Sequence, residues 1–185
     1  MVEECLEGGL RAVQLREKDL PLRALLDLAT PLREATRRRE ARLFINDRVD
    51  VALAVGADGV QRTHASLPVS VMRTIGGSEL LIGASVHSLE EARTAAGEGA
   101  DFIVFGPVWD TPFKRRYGPP QGLEALRQVT AAVATPVLAI GGITAARVRD
   151  VLAAGAAGVG VISAILAATR PAAATRAFLD ALGRA

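Results

Sequence analysis

Short apolar runs alternate with stretches of helical period along the whole chain, and nearly every run ends on a polar or glycine-containing turn. Residues 10–15 lead into Arg16-Glu17-Lys18, residues 42–45 into Asn46-Asp47-Arg48, and Gly59-Val60 into Gln61-Arg62-Thr63-His64. Residues 81–84 lead into Ser85-Val86-His87, residues 102–105 into Gly106-Pro107, residues 137–140 into Gly141-Gly142, and residues 159–162 into Ser163. Runs of strand length separated by amphipathic segments predict repeated βα units and a parallel sheet. The fold class expected is α/β, a TIM (βα)8-type barrel, in which the residues just after each strand share one rim. The runs number seven where such a barrel needs eight, so its first strand is expected to be missing from this chain. An edge left open in that way would favour pairing with another chain, a homo-oligomer.

The intervening stretches predict helices. Residues 21–39 carry Leu22, Leu25, Leu26, Leu28, Ala29 and Leu32 on an apolar side and end in Arg37, Arg38 and Arg39. Ser88 with Glu91 reads as a capping box. Thr144 reads as the cap of a helix over 145–154 that Gly155 stops. Residues 171–185 predict a last helix with Phe178, Leu179 and Leu182 inward, and residues 1–9 the end of a helix with Cys5 and Leu6 apolar. No linker or shift in composition divides the chain, so residues 1–185 are expected to form a single barrel domain.

Composition narrows the chemistry. Half the residues are hydrophobic but only 4% aromatic, which suits strands of Val, Ile, Leu and Ala buried on both faces. Twenty-two basic against 20 acidic residues leave +2, too small a surplus for a nucleic-acid surface. Cys5 is the only cysteine, so neither an internal disulfide nor a structural thiolate zinc site is possible. No segment has the length and lack of charge of a membrane span, nor the layout of a signal peptide, and a cytoplasmic protein is expected.

Several turns carry candidate chemistry beside a plain structural reading. Arg16 and Lys18 are either a solvated charge run or a clamp for pyrophosphate oxygens. Asn46-Asp47 is either a strand-to-helix cap or an oxygen site suited to Mg²⁺, which takes one or two carboxylates plus substrate phosphates. Gly141-Gly142 and residues 160–163 are either tight turns or a backbone phosphate pocket. Residues 110–120 form a long cationic loop, either surface or lid. His87 reads as structural, and His64 stands on a loop without a clear role.

The motifs Val13-Gln-Leu-Arg-Glu-Lys18, Ile45-Asn-Asp-Arg48, Gly56-Ala-Asp-Gly-Val60, Gly83-Ala-Ser-Val-His87, Phe105-Gly-Pro-Val108 with Thr111 and Lys114, Ala139-Ile-Gly-Gly-Ile143 and Val161-Ile-Ser-Ala-Ile165 occur in order. Together they resemble the thiamine phosphate synthase superfamily, which also contains the thiazole tautomerases. The resemblance implies a transferase that joins hydroxymethylpyrimidine pyrophosphate to thiazole phosphate with release of pyrophosphate. It implies Arg16, Lys18 and Lys114 as catalytic cations and Asp47 as a ligand of Mg²⁺, the cofactor. Gln14, Arg16, Lys18, Asn46 and Ser85 would contact the pyrimidine substrate, and Thr111, Lys114, Gly141, Gly142, Ile162 and Ser163 the phosphates. Three positions depart from the family pattern: Ser66 stands for a second magnesium carboxylate, Phe113 for a threonine, and Pro107 for the histidine of the tautomerase branch. A tautomerase and a non-catalytic protein binding thiamine precursors are the alternatives.

Overall fold

The computed structural model describes residues 1–111 and 119–183. Seven parallel strands form one sheet in chain order: β1 (Ala12–Leu15), β2 (Arg42–Asn46), β3 (Gly59–Arg62), β4 (Leu81–Val86), β5 (Phe102–Phe105), β6 (Val137–Ile140) and β7 (Gly158–Gly160). The helices of the described residues are α1 (Val2–Glu7), α2 (Leu22–Arg38), α3 (Val49–Val55), α4 (Val69–Gly76), α5 (Leu89–Gly97), α6 (Gly122–Ala132), α7 (Val148–Ala153), α8 (Ser163–Leu166) and α9 (Pro171–Gly183).

Alternation along the strands divides the sheet into two faces. Leu43, Ile45, Val60, Ile82, Ala84, Val86, Ile103, Phe105 and Ala139 face the helices and are wholly buried. The alternate positions Phe44, Val104, Leu138 and Ile140 face the other side and are only half-buried. That second face is the inside of a curl. Phe44 on β2 and Phe102 on β5 are three strand spacings apart, about 14 Å in a flat sheet. Their rings nevertheless meet edge to face with centroids 5.2 Å apart. Glycines make the space: a Cβ on Gly59 would lie 2.6 Å from the Phe44 ring, and one on Gly83 2.2 Å from the Phe102 ring.

The rim at the strand N-termini is built from a repeated Gly-Ala-Asp turn. In Gly56-Ala57-Asp58, the Asp58 carboxylate accepts the Leu43 N–H at 2.7 Å and the Arg33 guanidinium at 2.6 Å. In Gly99-Ala100-Asp101 the same roles fall to the Ile82 N–H and to Arg73 of α4. Each aspartate thus ties the start of one strand to the next and to a helix. A third copy, Gly155-Ala156-Ala157, keeps the backbone bonds without the carboxylate.

Several expected details are corrected. Leu22 and Leu28 are 49% and 42% exposed, because α2 buries the narrower stripe Leu25, Ala29, Ala35 and Thr36. Thr144 makes no side-chain cap, and Arg147 N–H bonds back to the Thr144 carbonyl at 2.9 Å. That bond closes a 3-10 turn over Ala145–Arg147, so the helix expected over 145–154 begins only at α7. β7 ends at Gly160, leaving Val161 and Ile162 outside the sheet. The Ser88 cap forms, with Glu91 N–H donating to the Ser88 hydroxyl, but the Glu91 carboxylate reaches the N–H of His87. At the chain start, α1 carries the buried Cys5 and Leu6, and Gly8 abuts α9 so closely that a Cβ would lie 2.7 Å from the Ala172 carbonyl.

Candidate active site

The C-terminal ends of the strands carry a strip of inward-facing polar side chains. Gln14 Nε2 donates to Asn46 Oδ1 at 3.2 Å, and Gln61 Nε2 donates to Ser85 Oγ at 2.9 Å. Asn46 and Gln61 are register partners on β2 and β3, only 6% and 3% exposed. These bonds satisfy groups that burial would otherwise penalise, and they fix the remaining donors and acceptors toward the interior.

Above the strip, the loop after β1 presents Arg16 and Lys18, both exposed and without an ion pair among the described residues. After β2 the chain turns sharply at Asp47. Its φ is 66°, and Arg48 N–H bonds to the Asn46 carbonyl at 2.8 Å, two residues back, the pattern of a γ-turn centred on Asp47. Non-glycine residues seldom take this left-handed conformation, and they concentrate at functional sites. Asp47 N–H in turn bonds to the Gln61 carbonyl at 2.9 Å, which seats the turn on β3. Arg48 is engaged elsewhere: it pairs with Asp50, whose carboxyl is held below its usual range by the hydrogen bond from Arg48. The Asp47 carboxylate therefore remains available as an oxygen donor.

Asp47 is the residue that would hold a magnesium ion here, a cation that takes one or two carboxylates together with substrate phosphates. Ser66 offers no second ligand, since its Oγ accepts the Thr63 N–H at 2.8 Å and lies 2.9 Å from Thr63 Oγ1. No cluster of three metal-binding side chains occurs among the described residues.

At the far side of the rim, the turns after β5 and β6 are welded together. Val108 N–H bonds to the Ile140 carbonyl at 2.9 Å, and Trp109 N–H to that of Gly141 at 3.0 Å. Gly141 and Gly142 both have positive φ, and a Cβ on either would lie 2.6 Å from Pro107 or Trp109. Arg147 fixes the junction, donating to the Gly142 carbonyl at 2.7 Å while its guanidinium stacks 4.8 Å over the Trp109 ring. Thr111 Oγ1 is buried without a hydrogen-bond partner. Ile162, 60% exposed, precedes Ser163 at the start of α8. Lys114 and Phe113 lie outside the described residues.

Comparison with known proteins places this rim in a family. The family model described as thiamine monophosphate synthase matches residues 1–165. The chain belongs to that family. Its activity is thiamine-phosphate synthesis, a transferase step of thiamine biosynthesis. A Geobacter sulfurreducens protein named for thiamine-phosphate synthase activity is 52% identical over 98% of this chain and 85% of its own length. The thiamine-phosphate synthase of Moorella thermoacetica is 44% identical over 100% and 88%. Thiamine phosphate pyrophosphorylase from Pyrococcus furiosus superposes with a TM-score of 0.92, with 43% identity, over 99% of this chain and 88% of that one.

Within this thiamine monophosphate synthase fold, three neighbours of the site go beyond the expected residues. Gln61 supports Ser85, and its inward position one residue past Val60 was there to be read from alternation. Trp109 and Arg147 brace the glycine turn, and only tertiary contact reveals them. His87, for its part, is tied through Nδ1 to the Gly106 carbonyl, joining the ends of β4 and β5.

Proposed function

We propose that this thiamine-phosphate synthase holds its two substrates on opposite parts of the rim. Arg16, Lys18 and Asn46 hold the pyrophosphate of a hydroxymethylpyrimidine. Gln14 and Ser85 orient the ring, and Gly141, Gly142 and Ser163 hold the phosphate of the thiazole, with Thr111, Lys114 and Ile162 bordering it. The observation that carries this division is the Asp47 γ-turn, which sets a carboxylate between strand ends that otherwise present cations and neutral donors. Magnesium on Asp47 would neutralise charge on the departing pyrophosphate. The chain's own part is positioning and electrostatics: Arg16, Lys18 and Lys114 attract the leaving group, while the glycine turn sets the thiazole nitrogen against the pyrimidine methylene. No protein nucleophile is needed. A tautomerase reading finds no support at the turn after β5, where Pro107 has no proton to move.

The same proposal extends to the architecture. Residues 1–185 form one domain on the plan of an eight-stranded barrel, with a strand position left between β7 and β1, and the enzyme works in the cytoplasm. The half-buried inward side chains Phe44, Val104, Leu138 and Ile140 support it, since closure would cover them. The test of the reaction is direct. The wild-type protein is incubated with hydroxymethylpyrimidine pyrophosphate and thiazole phosphate, with and without Mg²⁺. Thiamine phosphate and pyrophosphate in equal amounts, formed with the metal only, are expected; no product under either condition would overturn the reading.

A further inference from the structure

Arg33 and Arg73 each meet a carboxylate, Asp58 and Asp101, at the rim opposite the site. Arg147 is half-buried and forms no ion pair among the described residues. Its guanidinium is held by two neutral groups, the Gly142 carbonyl at 2.7 Å and the face of the Trp109 ring at 4.8 Å. It comes from the 3-10 turn Ala145–Arg147, while Trp109 comes from the loop after β5. Two donors from separate elements thus take the two glycine carbonyls: Trp109 N–H that of Gly141, and Arg147 that of Gly142.

Both bonds act through the peptide planes. In a trans peptide the carbonyl and the next N–H point in opposite directions. Holding the carbonyls of Gly141 and Gly142 therefore also sets the N–H groups of Gly142 and Ile143, aimed away from Trp109 and Arg147. Neither N–H donates in a backbone hydrogen bond among the described residues. Successive amides of a turn make an anion-binding concavity, but glycine left to itself samples many orientations. A preset pair binds an anion without first having to be ordered. We infer that Arg147, stacked on Trp109, is a positioning residue for the thiazole phosphate: it acts through the glycine turn, whose Gly142 and Ile143 amides it presets for that phosphate. The inference rests on the reading of the glycine turn given above. A lysine at 147 would keep the charge and a donor for the carbonyl but lose the flat face that stacks on the indole.

The experiment titrates thiazole phosphate into wild type, Arg147→Met and Arg147→Lys by calorimetry, with inorganic pyrophosphate and Mg²⁺ titrated into each as a control. Arg147→Met should bind thiazole phosphate about tenfold or more weakly, and Arg147→Lys should lie between it and wild type. Pyrophosphate binding should be the same in all three. Either variant binding thiazole phosphate as wild type does would overturn the inference while leaving the reaction standing. A parallel loss of pyrophosphate binding would overturn it too, since the rim would then have loosened as a whole. If Arg147→Met fails to fold, the more conservative Arg147→Lys decides by the same comparison. Wild type that binds no thiazole phosphate overturns the reading of the glycine turn itself, and the role of Arg147 with it.

Discussion

Gly83 shows how closely single residues set the interior. Its missing Cβ leaves room for the Phe102 ring and for Gln61 Oε1, which would lie 2.2 and 2.4 Å from a methyl there. Gly83→Ala should therefore destabilise the protein by about 1–3 kcal/mol and also displace Gln61 from Ser85. Urea denaturation checks the first effect and the Michaelis constant for the pyrimidine substrate the second; an unchanged midpoint would show that the rings have more freedom than the contacts imply. Gly142→Ala belongs to the same scale. With φ at 67° and Trp109 Cβ at 2.6 Å, the turn must move, and thiazole phosphate should bind about tenfold more weakly in a direct titration. The Gly141-Gly142 turn was legible in the sequence as a turn. Its tight partners were not, because Trp109 and Arg147 reach Gly142 from separate loops.

Among the elements, the Gly-Ala-Asp turns do the joining. Asp58 and Asp101 each bond a strand N–H and an arginine of the preceding helix at the rim opposite the site. Removing either carboxylate leaves a half-buried guanidinium and a strand amide without their acceptor. Asp58→Ala or Asp101→Ala should lower stability by about 2 kcal/mol with the Michaelis constants unchanged. A thermal melt beside a kinetic assay tests this, and a changed constant with an unchanged melt would contradict it. The strands and helices themselves follow from the apolar beat of the sequence, most firmly at β5 and β6, whose expected and observed limits coincide. Where local signals misled, tertiary geometry decided. Thr144 has the residue type of a cap, yet the backbone closes a 3-10 turn without its hydroxyl, and Leu28 belongs to the apolar pattern of α2 but faces solvent.

For the whole molecule, the sheet's two ends matter most. β1 and β7 have one neighbour each within the seven-stranded sheet, and the interior they flank is only half covered. Amides of β1 and β7 should exchange with solvent much faster than those of β3 and β4, and mass-resolved hydrogen exchange would show it; equal protection would mean that the edges are covered. The strand count was readable from the sequence, as was the rim where its unusual polar residues gather. The strained turn at Asp47 was not, since its φ arises only when the chain leaves β2 and is seated on β3. The central claim is that Asp47 serves the pyrophosphate half of thiamine-phosphate synthesis and not the thiazole half. Single-turnover formation of thiamine phosphate by wild type and Asp47→Ala, across a magnesium titration and with thiazole phosphate binding measured in parallel, tests it most directly. The account predicts that Asp47→Ala loses the magnesium-dependent reaction by about a hundredfold or more while thiazole phosphate binds as before. A variant that turns over like wild type at every magnesium concentration would contradict it.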